Sequence, residues 1–151
     1  SAFANRKVSD AGASRCERAD PLLDAAHVRH AAARAWLEAN IEQGWASCPL
    51  TQNGCIRILS QPAYPGSQPP AAVAARLAEA AGTPWHAFWP DDLSLLEPHC
   101  ADWRHVLGSR QLTDVYLLAL AVRQGGRLVT FDCGVPLAAV PNAGKAHLEV
   151  V

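Results

Sequence analysis

Leu112-Thr113-Asp114-Val115-Tyr116-Leu117-Leu118-Ala119-Leu120-Ala121-Val122-Arg123, then Gly125-Gly126, then Arg127-Leu128-Val129-Thr130-Phe131-Asp132, is the stretch on which the fold turns. Its first part has the apolar spacing of an amphipathic helix, and the paired glycines end it. Residues 127–131 read as a strand, with Asp132 directly after it. Helix and strand make one αβ unit, whose return brings the helix start and the strand end to the same edge. In an open parallel sheet, ligands bind beyond the carboxyl ends of the strands. Asp114, in the first helical turn, and Asp132 are therefore expected at one edge, where two carboxylates suit a hard cation. Taken singly, each has a plainer role. The helix dipole favours Asp114, and Asp132 is a turn residue before Gly134.

Outward from that unit, helices and strands alternate. Helices are expected over 25–41, 50–59, 71–81 and 99–107, and strands over 45–48, 85–89 and 147–151. Pro49 and Gly82 punctuate two of the helices, and four prolines with a glycine mark 61–70 as a loop. Such alternation implies an α/β fold with a mostly parallel sheet covered on both faces. Residues 1–21 differ: Arg6, Lys7, Asp10, Arg15, Glu17, Arg18 and Asp20 interrupt any apolar period. That segment is expected to be a flexible or rearranged tail, and 22–151 the globular domain.

Half of the 151 residues are apolar and 18% are charged, enough for one domain with a real core. No apolar run is long enough to span a membrane, and nothing at the N-terminus resembles a signal peptide. A net charge of −1 excludes a strongly basic nucleic-acid module but not a local basic rim. Cys16, Cys48, Cys55, Cys100 and Cys133 form no CxxC pair. They are expected to be reduced thiols of a cytoplasmic protein. The six histidines, His27 and His30 included, form no metal-ligand set. Thr51-Gln52-Asn53-Gly54 is a polar cluster whose plain role is helix capping. Gln52 is neutral and does not titrate, so it supplies no charged ligand or general base. No nucleophile elbow or triad is legible.

Five segments, in this order, carry a specific resemblance: His27-Val28-Arg29-His30; Trp45-Ala46-Ser47-Cys48-Pro49-Leu50-Thr51-Gln52-Asn53-Gly54; Phe88-Trp89-Pro90-Asp91-Asp92; Arg110-Gln111-Leu112-Thr113-Asp114-Val115-Tyr116-Leu117; and Thr130-Phe131-Asp132-Cys133-Gly134. Together they closely resemble VapC toxins, the PIN-domain ribonucleases of VapBC toxin–antitoxin modules, over about 22–151. The resemblance implies a PIN-like three-layer α/β/α domain with a mostly parallel central sheet. It also implies an acidic RNA-cleaving site dependent on Mg²⁺ or Mn²⁺, a VapB-type antitoxin partner and a homodimer. Asp114 matches the acid of the family's Thr-Asp motif and Asp132 that of its Phe-Asp motif.

Two departures follow. Gln52 stands where the family has Glu, in Thr-Glu-Asn-Gly. The family's first acid, in an Asp-x-Asn motif expected near position 15, is replaced by Arg15-Cys16-Glu17, and Asp10 is a poor substitute. Codons for Arg15–Pro21 can, one base forward, read Asp-Ala-Asn-Val-Leu-Ile, the missing motif at the expected place. A shifted reading frame up to about Pro21 is the resulting hypothesis, and the coding DNA decides it.

The resemblance thus leads to a VapC-like, metal-dependent endoribonuclease with activity impaired by the loss of two acids. Asp114 and Asp132 would hold the ion weakly or not at all, with Gln52 in the vacated Glu position. Arg57, Arg104, Arg110 and Arg127 are candidate rim cations for RNA, Arg110 and Arg57 first among them. The alternative is a catalytically degenerate PIN domain that binds antitoxin or RNA without cleaving it.

Overall fold

The computed structural model describes residues 2–4, 35–36, 39–64 and 66–151. Asp10, the 15–21 segment, His27, His30 and most of the helix expected over 25–41 lie outside the described residues. Of that helix, Ala35, Trp36, Ala39 and Asn40 are helical. The chain divides into two compact units, one of Ser1–Cys16 with Asp91–Val151, the other of Glu17–Pro90.

In the first unit, β1 (Ala2–Ala4) pairs antiparallel with β4 (Arg127–Thr130), and β4 pairs in parallel with β5 (Leu148–Val150). Helix α3 (Leu112–Arg123) packs on β4. It is not the one-sided amphipathic helix expected. Val115 and all of Leu117, Leu118, Ala119, Leu120 and Ala121 are buried. A helix apolar around its whole circumference belongs inside a core. Leu128, Val129, Val135, Ala139 and Val140 complete this apolar set. The helix ends as its glycines require. Gly125 adopts φ +66°, its N–H donates to Val122 C=O, and Gly126 N–H donates to Ala121 C=O. Those two bonds make a Schellman motif, which glycine enters without the Cβ penalty.

In the second unit, β2 (Trp45–Ser47) and β3 (His86–Phe88) run parallel, with Trp45 opposite His86 and Ser47 opposite Phe88. All three residues of β2 are buried, as expected of a parallel strand covered on both faces. Helices α1 (Pro49–Leu59) and α2 (Pro70–Ala81) each carry proline at the start, where its missing N–H costs nothing.

The observed architecture is therefore mixed helix and strand, with short parallel strand pairs. The helix expected over 99–107 is absent. His99 has φ +64°, the Asp102 side chain accepts from Arg104 N–H, and Val106 is already extended. Only a single 3₁₀ turn, Trp103–His105, results. The cysteines also depart from expectation. Cys133 is disulfide-bonded, whereas Cys48, Cys55 and Cys100 form no disulfide. No helix among the described residues is long and apolar enough to cross a membrane.

Candidate acidic site

Asp114 sits in the first turn of α3, where free backbone N–H groups and the helix dipole favour a carboxylate. Asp132 lies just beyond β4. Its own N–H donates to Thr130 Oγ1 (3.1 Å), and its Oδ1 accepts from Gly134 N–H (2.7 Å). This Asx turn fixes the exposed carboxylate. A Cβ on residue 134 would lie 3.0 Å from Asp132 Oδ1, so glycine there keeps the carboxylate where it is. Gln111 ties the two segments together. Its Oε1 accepts from Leu107 N–H at 2.8 Å, and its Nε2 reaches Gly134 C=O at 3.4 Å.

The two acids feel each other. Asp114 is half-buried, and its carboxyl is pushed above the usual range first by desolvation, then by the negative charge of Asp132. The αβ unit thus places a repelling carboxylate pair at one edge of the first unit. Such a pair fits a divalent cation, whose charge relieves the repulsion, but it supplies few ligands. No group of three or more His, Cys, Asp or Glu gathers for a metal among the described residues. An open hollow of about 390 Å³ is lined by His99, Ala101, Asp102, Trp103, Arg104 and Pro141, and neither acid lines it.

Arg110 is exposed in the 3₁₀ turn Ser109–Gln111, immediately before α3, and makes no ion pair with a described residue. Two other rim candidates are already engaged. Arg104 forks onto Asp102, with Nε to Oδ1 at 2.9 Å and a second nitrogen to Oδ2 at 2.6 Å, holding the Asp102 carboxyl down at about 2. Arg127 pairs with Glu149 at 2.8 Å, across β4 and β5. Arg57 is exposed on α1.

Gln52 and Arg57 belong to the second unit. There Thr51 does the capping, its Oγ1 accepting from Cys48 N–H at 2.9 Å. Gln52 is used differently. Its Nε2 donates to Ser47 Oγ at 2.9 Å, and Ser47 Oγ lies 2.8 Å from His86 Nε2. The His86 ring also sits 4.4 Å from that of Trp45. Sequence reasoning missed Ser47 and His86, because they lie 39 residues apart and only the β2–β3 register joins them. Ser47 is 5% exposed, too enclosed to act as a nucleophile on a polymer.

Comparison with known proteins finds relatives that match most of the chain. The chain is 49% identical over 130 residues to Ribonuclease VapC44 of Mycobacterium tuberculosis, covering 86% of this chain and 92% of the relative. The chain belongs to the VapC ribonuclease family. Ribonuclease VapC39 of the same organism is 43% identical over 126 residues, covering 83% of this chain and 87% of its own length. Ribonuclease VapC38 is 44% identical over 110 residues, covering 72% and 76%. No family model matches the chain, and no solved structure matches it.

Proposed function

We propose that this VapC family member is the cytoplasmic endoribonuclease of a type II toxin–antitoxin pair, acting as a homodimer and restrained by a VapB-type antitoxin. The proposed architecture is the PIN-like three-layer α/β/α arrangement. One observation carries the reading: Asp114 and Asp132 form an interacting carboxylate pair at a helix start and a strand end. Names of relatives that cover most of their length and of this chain support it.

Asp114 and Asp132 are the residues that would hold Mg²⁺ or Mn²⁺. When bound, such an ion supplies positive charge at the scissile phosphate and a water of lowered pKa. The chain's own residues do the rest. Asp132 is held in one orientation by its Asx turn, Asp114 keeps its proton to higher pH than an ordinary carboxyl, and Arg110 offers an exposed cation to RNA phosphates. With Gln52 in the family's Glu position and Arg15-Cys16-Glu17 where its first acid is expected, the ligand set is depleted and cleavage is slow.

The test is cleavage of a structured RNA by the purified chain with and without Mg²⁺ or Mn²⁺, beside Asp114→Ala and Asp132→Ala. Slow, metal-dependent cleavage lost in both variants is the expected result. Cleavage that survives both substitutions would refute the assignment. An inert chain that still captures antitoxin would instead establish the degenerate binding domain.

A further inference from the structure

The side chain at position 52 is part of a hydrogen-bonded chain whose proton positions can be worked out. The His86 ring is partly desolvated, which pushes its pKa down and favours the neutral imidazole. A neutral imidazole with its proton on Nδ1 presents Nε2 as an acceptor. In that tautomer the single Ser47 hydroxyl proton goes to His86 Nε2, 2.8 Å away. Ser47 Oγ then has only lone pairs left for position 52. That is met by a donor, Gln52 Nε2, at 2.9 Å. The polarity then runs one way, Gln52 to Ser47 to His86. It leaves Gln52 Oε1, which makes no hydrogen bond with a described residue, as the end of the amide turned from Ser47.

We propose that Ser47 and His86 are positioning residues for side chain 52. They select the amide end that faces Ser47, and so fix what position 52 presents elsewhere. A carboxylate at 52 cannot donate. To bond Ser47 it needs the hydroxyl proton, and Ser47 must then accept from His86 Nε2–H. The carboxylate's negative charge, one hydroxyl away from the ring, then favours a proton on both ring nitrogens. An acid at position 52 therefore draws a proton onto His86, and a glutamine keeps His86 neutral. What position 52 contributes to catalysis rests on the ribonuclease reading, whereas the relay itself does not.

The experiment is ¹⁵N NMR of the histidine side chains in the full chain, without RNA or metal, with His86 assigned by its loss in His86→Gln. The wild type should show neutral His86 protonated on Nδ1 at neutral pH. Gln52→Glu should raise its midpoint by about one pH unit or more, a tenfold shift in the protonated share. Ser47→Ala, or Ser47→Cys if the alanine variant fails to fold, should abolish that response, and Ser47→Thr should keep it. The relay is overturned if His86 titrates alike with Gln or Glu at 52, or if the shift survives loss of the Ser47 hydroxyl. Neither outcome depends on RNA cleavage, so failure of the ribonuclease reading is seen separately.

Discussion

Replacing Leu117 by alanine tests whether α3 is a core helix throughout. Val115 and Leu117 are two residues apart, about 200° around a helix of 3.6 residues per turn. They are 0% and 3% exposed, so nearly opposite faces of α3 are buried. Leu117→Ala deletes three carbons, about 2.4 kcal/mol at ~0.8 kcal/mol each. The residual cavity raises that to about 3 kcal/mol or more, within the range of about 2.7–5 for buried Leu→Ala changes. With an m value of about 2 kcal/mol/M, the urea midpoint should fall by about 1.5 M. Circular dichroism during urea unfolding measures it. Leu107→Ala is the control: Leu107 is 86% exposed, and the change should stay within about 0.5 kcal/mol. A loss below about 0.5 kcal/mol for Leu117→Ala, with m unchanged, would put that side of α3 in solvent and refute the buried-helix account.

Asp114→Asn should stabilise the fold at neutral pH. A raised carboxyl pKa contributes stability only below the unfolded value, near 3.8, and loses it as pH rises through the folded midpoint; the gain in melting temperature should therefore vanish below about pH 3. Gly125→Ala has open space for its Cβ, so only the φ of +66° opposes it; the cost should be about 1 kcal/mol, a fall of a few degrees in a thermal melt. Arg104→Ala should move the Asp102 titration, followed by carboxyl NMR, from about 2 toward 3.8, because the lost guanidinium hydrogen bonds are its first cause. With Arg104 in place, the stabilisation by Asp102 is present above pH 3.8 and lost as pH falls toward about 2.

The αβ unit from Leu112 to Asp132 was legible because its signals are local. An apolar run, a glycine pair and a short branched strand each act within a few residues, and the acids at its two ends follow from connectivity. Only the helix's character differed, since spacing cannot distinguish a wide apolar face from burial all round. The 99–107 segment misled because Asp102 competes locally: its side chain binds Arg104 N–H and stops the turn from propagating. The rim arginines were legible as cations, but their partners were not. Glu149, which engages Arg127, and Ser47, which meets His86, come from pairings of strands distant in sequence. The bonded state of Cys133 was likewise invisible to spacing.

The relay changes how the two departures from the family pattern should be weighed. Counted as formal charges, Gln52 and the missing first acid each remove one negative charge. Yet a glutamate on Ser47 would draw a proton onto His86, so the trio of residue 52, Ser47 and His86 is neutral overall in either form. With Gln52 that neutrality needs no ion at all: amide, hydroxyl and uncharged imidazole satisfy one another in sequence. The first acid that the resemblance implies near position 15, where Arg15-Cys16-Glu17 stands, has no such neighbouring proton to offset it in the relay. Under the ribonuclease reading, the Asp-Ala-Asn-Val-Leu-Ile segment returns a charge that no such proton offsets, so it should restore more metal affinity than Gln52→Glu. The glutamate gains its full effect only where His86 is kept neutral.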